Sequence, residues 1–83
     1  MPLYMDVHKN VAGASEKDVA GAHDKDVEVG KKYGVRYLKY WHDPQAGKVF
    51  CLIDSPDPDL ATKVHREAHG LLADEIYQVE EHG

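Results

Sequence analysis

The sequence lacks a second cysteine, because Cys51 is the only one among its 83 residues. An intrachain disulfide is therefore impossible, which excludes a secreted disulfide scaffold and favours a reducing compartment such as the cytoplasm. A chain of this length buries only about 60% of the surface that its unfolded form exposes, so its core is marginal. The remaining sources of support for such a small domain are a metal ion or a partner chain.

The sequence also lacks an excess of positive charge and any long apolar run. Ten Lys and Arg residues face 15 Asp and Glu residues, for a net charge of −5. We therefore expect no nucleic-acid partner, which would require a basic stripe. The apolar run at 49–53 is far shorter than the roughly 20 residues of a membrane span, and residues 1–6 do not resemble a signal peptide. These absences predict a cytoplasmic protein without a membrane partner.

Hydrophobic periodicity and turn residues predict six elements in the order β-α-β-β-α-β. Ser15 and Asp18 form the start of a helix in a variant of the capping box, and Gly34 ends that helix. The predicted strands cover 3–8, 35–41, 48–53 and 75–79, and the predicted helices cover 15–33 and about 57–72. This order predicts an α+β, ferredoxin-like single domain over 1–83, with a four-stranded antiparallel sheet and two helices on one face.

The apolar pattern of the strand at 48–53 predicts how the protein assembles with a second copy. Its segment Val-Phe-Cys-Leu-Ile at 49–53 is apolar on both faces, whereas a strand with one wet face alternates apolar and polar residues. Burial of the second face against a symmetry mate explains this pattern, so we expect a homodimer.

Six histidines form the most unusual feature of the composition, and histidine is the commonest metal ligand. His65 and His69 stand four residues apart on one helix face, where two imidazoles can share an ion. Asp6 and His8 stand on the same side of the first strand, roughly 6–7 Å apart. Both orientations of that strand fit its alternation. We favour the one with Leu3, Met5 and Val7 under the helices, which makes the two pairs separate sites.

Further candidate ligands are less clearly placed by the sequence. His23 lies in the weak apolar stripe of the first helix, and Cys51 lies in the middle of an apolar strand. His42 and His82, near a turn and the C-terminal end, can bind metal at the surface. Imidazoles, one thiolate and carboxylates together suit nickel, zinc or copper better than magnesium or calcium.

Four segments carry a resemblance over nearly the whole chain: Met-Asp-Val-His at 5–8, Tyr-Gly-Val-Arg-Tyr-Leu at 33–38, Val-Phe-Cys-Leu at 49–52 and Val-His-Arg-Glu-Ala-His-Gly-Leu at 64–71. They resemble a family of small bacterial nickel-binding proteins. The resemblance implies a ferredoxin-like dimer that carries nickel ions at or near the dimer surface, with a role in nickel sequestration or detoxification. The recurring polar positions of the family match Asp6, His8, His23, Cys51, His65 and His69.

A small enzyme is the alternative reading of the same residues. Paired ferredoxin-like domains can enclose a pocket, here lined by Tyr4, Asp6, His8 and His23, and polar groups on an apolar inner face are what catalysis in a pocket requires. The number of ions separates the two hypotheses. Several nickel ions per dimer on exposed histidines indicate storage, while one buried ion with an open coordination position indicates catalysis. We favour binding without catalysis.

Overall fold

The computed structural model describes residues 2–83, and Met1 lies outside the described residues. The elements are β1 (Leu3–His8), α1 (Glu16–Tyr33), β2 (Arg36–Asp43), β3 (Lys48–Asp54), α2 (Pro58–Ala68) and β4 (Glu75–Val79). The strands form one antiparallel sheet in the order β2-β3-β1-β4. The predicted ferredoxin-like fold is therefore confirmed. Within residues 2–83, neither helix has the length and apolar character that a membrane crossing requires.

The ends of α1 are fixed by local sequence, as predicted. The Asp18 amide donates to the Ser15 hydroxyl at 3.1 Å, and the Ser15 amide donates to the Asp18 carboxylate at 3.2 Å. This reciprocal pair satisfies two amides that the first turn leaves without helical partners. Gly34 has a φ of 68°, and the Val35 amide after it donates to the Gly30 carbonyl at 3.0 Å. A left-handed residue here stops the helix, and glycine adopts that conformation without strain.

The end of α2 differs from the prediction, which extended this helix to about Leu72. The helix ends at Ala68, and the amides of His69 and Gly70 both donate to the His65 carbonyl. Gly70 has a φ of 77°, which turns the chain out of the helix. Leu71 and Leu72 are consequently 55% and 43% exposed in the loop before β4 and not part of the core.

The orientation of β1 is the opposite of the one we favoured. Tyr4 is paired with Ile53 and Asp6 with Cys51, and all four side chains are buried on the helix-covered face. Leu3, Met5 and Val7 therefore point to the other face, and that prediction was wrong. Alternation alone does not distinguish the two faces of a strand. The polar residues of β1 are tolerated under the helices because His65 of α2 partners Asp6 there.

The second face of the sheet is apolar at its centre, with charged residues on the outer strands, and it carries no helix within residues 2–83. Met5 is paired with Leu52, and Val7 is paired with Phe50, on this face. Two aromatic residues of the outer strands extend it: Trp41, which is 47% exposed, and Tyr77, which is 50% exposed. We call this surface the open sheet face.

Candidate metal centre

The centre of the polar interior is His65, which is 1% exposed and projects from α2 towards the sheet. Its Nε2 lies 2.6 Å from Oδ2 of Asp6, and its Nδ1 lies 2.9 Å from Oδ1 of Asp26. Carboxylates only accept hydrogen bonds, so both ring nitrogens of His65 donate. The geometry therefore describes an imidazolium between two carboxylates.

Burial and hydrogen bonding act in opposite directions on these groups. Burial alone lowers the pKa of His65, but the hydrogen bonds to Asp26 and Asp6 outweigh it and raise that pKa to about 9. Burial raises the pKa of Asp6, but the contacts with His65 and His8 outweigh it and lower that pKa to about 2. The pKa of Asp26 is also lowered, because its bonds to His65 and His69 outweigh its burial. At neutral pH these three residues carry a net charge of −1, which favours a cation.

His69 extends the network to the loop after α2. Its Nε2 lies 3.0 Å and 3.1 Å from the two oxygens of Asp26, and its Nδ1 accepts from the Leu71 amide at 3.1 Å. Since Nδ1 accepts, Nε2 carries the proton and donates to Asp26. The chain Asp6–His65–Asp26–His69 thus connects β1, α2 and α1. We call it the buried network.

Sequence reasoning missed Asp26, although a signal for it was present. Asp26 lies on the apolar stripe of α1 and is 2% exposed. A carboxylate on the buried face of a helix requires a partner, since buried charges are paired or coordinate metals. The partner, His65, is 39 residues away in the chain, and no local pattern identifies it.

The second oxygen of Asp6 is the least satisfied polar atom of the site. Asp6 is 1% exposed, and its Oδ1 accepts no hydrogen bond from the described residues. His8 Nε2 lies 3.5 Å from it, which is too long for a good hydrogen bond. Cys51 stands directly opposite Asp6 on β3. A buried carboxylate oxygen in this state is a natural ligand for an ion.

The structure brings five of the six predicted ligands together in two groups that share His65. In the first group, each residue offers a ligand atom within 4.8 Å of the others, and all four residues are buried: Asp6, His8, Cys51 and His65. The second group meets the same 4.8 Å limit and consists of Asp26, His65 and His69. Asp6 and His8 therefore do not form a site separate from His65, because β1 turns them towards α2.

His23 belongs to neither group. Its ring packs against Tyr40 at a centroid distance of 4.8 Å, and its buried Nδ1 has no hydrogen-bond partner among residues 2–83. Of the two candidates expected at the surface, His82 is exposed beside Glu80 at 3.2 Å. His42, near the end of β2, is instead half-buried, and its Nε2 is buried without a hydrogen-bond partner among residues 2–83.

A cavity of about 90 Å³ lies beside both groups, between α1 and the sheet. His8 and His23 line it, but the cavity lies within one chain, whereas the pocket hypothesis placed its pocket between paired domains. Asp6 is not among the lining residues, and Tyr4 packs in the hydrophobic core. The remaining polar lining comes from Cys51, His65, His69, Asp26, Asp18 and Tyr40.

The first group fits a divalent transition metal in its donor types. It offers two imidazole nitrogens, one carboxylate and one thiol sulfur. Burial, followed by the negative charge of Asp6, raises the pKa of the Cys51 thiol, so the metal-free residue is protonated. A bound ion displaces such a proton outright. Two ligands that are each about 2.0–2.1 Å from one ion lie roughly 3 Å or more apart. The 2.6 Å contact between Asp6 and His65 therefore holds a proton, and it must widen to admit an ion.

Comparison with known proteins identifies relatives of the chain in sequence and in fold. The family described as nickel responsive protein SCO4226-like matches residues 4–79. The crystal structure of SCO4226 from Streptomyces coelicolor A3(2) superimposes with a TM-score of 0.90 at 33% sequence identity. The alignment covers 98% of this chain and 99% of that one. No curated protein matches the chain.

Proposed function

The chain belongs to the SCO4226-like family of nickel-responsive proteins, and from this premise we propose that it binds nickel for sequestration or detoxification. The proposed ligands are Asp6, His8, Cys51 and His65. Asp26 and His69 support them through His65. The proposed site supplies four protein ligands, which leaves a four-coordinate ion no open position for a substrate. The buried nickel ion is therefore the cargo of the protein and not a cofactor for turnover.

The observation that carries this proposal is the buried Oδ1 of Asp6. It lies in a group of nitrogen, oxygen and sulfur donors and accepts no hydrogen bond from residues 2–83. Leaving a buried carboxylate oxygen without a donor costs about 1–3 kcal/mol or more. A bound cation removes that cost, because Oδ1 of Asp6 becomes one of its ligands. Zinc and copper suit the same donors, and the family makes nickel the first choice.

Asp26 has a distinct part in this proposal. It accepts the hydrogen bond from His65 Nδ1, so only Nε2 can bind the ion, after losing the proton that it now donates to Asp6. A carboxylate in this position fixes the orientation of a ligating histidine and increases its basicity. His65 is therefore already held in the tautomer that a metal requires once its Nε2 proton leaves.

The same geometry argues against an enzyme that uses Cys51 as a nucleophile. Such an enzyme needs a lowered thiol pKa, whereas burial and the charge of Asp6 raise the pKa of Cys51. Both nitrogens of His65 are occupied by carboxylates, so this residue is not a free general base. Binding without turnover is the function that these residues support.

We expect the substitution Cys51→Ala to lower nickel affinity by at least about tenfold, because it removes one ligand and leaves the fold almost unchanged. The matched control is His82→Ala, which removes an exposed histidine and should leave the affinity as in the wild type. Isothermal titration calorimetry with NiCl₂ measures both. Equal affinity of Cys51→Ala and wild type, or a loss in His82→Ala instead, would place the ion elsewhere.

We also propose that the protein is a homodimer through the open sheet face. The candidate core of the interface is Phe50 and Leu52 of β3 with Trp41 of β2, which form an apolar surface without a covering helix in residues 2–83. A second copy of the same surface is complementary to it in apolar character, and a two-fold axis closes the assembly.

Replacing Phe50 by Asp is expected to convert the dimer into a monomer, because it places a charge at the centre of the apolar face. Leu72→Asp is the control, since Leu72 is an exposed apolar residue in the loop before β4. Analytical ultracentrifugation gives the mass of each variant. A wild-type protein that stays monomeric at millimolar concentration contradicts the proposed dimer.

A further inference from the structure

The cavity between α1 and the sheet presents an almost entirely apolar surface. Asp26, His65 and His69 line it, but their polar atoms bond one another. An apolar cavity of about 150 Å³ admits benzene, so in proportion one of about 90 Å³ admits roughly three heavy atoms. The cavity therefore suits a short alkyl group, which would contact the aliphatic part of the wall: Val11, Ala14, Val19, Ala22, Val49 and Leu71.

The cavity adjoins a groove on the surface, between α1 and the loop after α2. Four residues line both the cavity and the groove: Asp18, Ala22, His69 and Leu71. The rest of the groove is formed by Lys17, Gly21 and Lys25 of α1. A side chain at Gly21 would meet nothing within 4 Å, so the space beside this glycine is open. A ligand that lies in the groove can therefore extend one end into the cavity.

The charge of the groove indicates the other end of that ligand. Lys17 and Lys25 are exposed, and within residues 2–83 neither is in an ion pair. They are eight residues apart on α1, about two turns, with Gly21 midway, so their long side chains can converge over the groove. Asp18 is the acidic residue of the groove wall, and two positive charges against one negative leave a net charge of +1. Such a groove favours an anion with a single charge.

We propose that the groove and the cavity together bind a short-chain carboxylate whose alkyl chain has two or three carbons. The carboxylate lies in the groove, where Lys17 and Lys25 pair with its single negative charge. The alkyl chain passes Ala22 and fills the cavity. This binding does not depend on the proposed nickel site, because neither lysine is a proposed metal ligand and the alkyl chain needs no ion.

The length of the alkyl chain tests the cavity. The metal-free full chain is titrated at pH 7 and constant ionic strength with acetate, propionate, butyrate and hexanoate, and amide NMR shifts give each affinity. Affinity should rise about fourfold for each methylene from acetate to butyrate, because each one is buried. Hexanoate should bind no more tightly than butyrate, because three carbons fill the cavity. The amides of Ala22 and Leu71, where the groove meets the cavity, should shift most. Affinity that is independent of chain length, or that continues to rise to hexanoate, overturns the proposal.

The double variant Lys17→Gln, Lys25→Gln tests the groove, with butyramide as the uncharged ligand of the same shape as butyrate. The wild type should prefer butyrate to butyramide, and the double variant should lose that preference and bind butyrate roughly fivefold more weakly. Lys31→Gln is the matched control, since Lys31 is exposed in the last turn of the same helix, and it should bind as the wild type does. A preference for butyrate that persists in the double variant, or an equal loss in Lys31→Gln, overturns the proposal and leaves the proposed nickel site unaffected.

Discussion

Replacing His65 by Ala is expected to lower the free energy of unfolding of the metal-free protein by roughly 3–5 kcal/mol. The substitution leaves the carboxylates of Asp6 and Asp26 buried without the cation that joins them. Breaking a buried ion pair by removing one partner costs far more than removing the whole set, since an uncompensated charge stays in the interior. Urea denaturation at pH 7 measures the loss.

Two further variants test whether the stability lost in His65→Ala comes from the buried network. The combination Asp6→Asn, Asp26→Asn and His65→Leu removes all three charges and should recover most of the lost stability. His69→Ala should cost only about 1 kcal/mol, because His69 is partly exposed and bonds only one carboxylate. A His65→Ala protein within about 1 kcal/mol of the wild type would contradict the ion network.

The stability of the metal-free protein is expected to fall as the pH rises from 6.5 to 9. The pKa of His65 is raised from its ordinary 6.5 to about 9, so the folded state holds a proton that the unfolded state releases first. This contribution is fully present below pH 6.5 and is lost as the pH passes through 9. The shift corresponds to a loss on the order of 3 kcal/mol.

Asp6 affects stability at low pH, and its contribution changes with pH in the opposite direction to that of His65. Its pKa is lowered from 3.8 to about 2, so its contribution is present above pH 3.8 and is lost as the pH falls through 2. The network therefore predicts maximal stability between about pH 4 and 6.5. Denaturation curves at pH 6 and pH 9 test this, and the triple variant without the three charges should show a much smaller difference. Greater stability of the wild type at pH 9 than at pH 6 is the contrary result.

Local signals in the sequence predicted most of the fold. The Ser15–Asp18 capping box, Gly34 and the 43–47 turn act within a few residues, so their outcome does not depend on distant contacts. The end of α2 was misjudged because Leu71 and Leu72 continue the helical spacing. Gly70 takes a left-handed conformation and ends that pattern.

The orientation of β1 and the role of Asp26 depend on contacts that span the chain. Asp6 and His65 are 59 residues apart, and Asp26 and His65 are 39 residues apart. From the alternation of β1 alone, burying three apolar residues is the better choice. The structure instead buries Asp6 and His8, because α2 provides a histidine that compensates the carboxylate. The sequence does not show which residue pairs with Asp6, so the orientation of β1 could not be predicted from it.

The position of the nickel ion tests the proposed function most directly. Crystals grown with one equivalent of NiCl₂ per chain, with diffraction recorded at the nickel absorption edge, locate the ion by its anomalous scattering. We expect one internal peak per chain, bonded to Asp6, His8, Cys51 and His65, with the Asp6–His65 contact wider than 2.6 Å. Peaks found only at other histidines such as His42 and His82, with the Asp6–His65 contact unchanged, would contradict the proposed site.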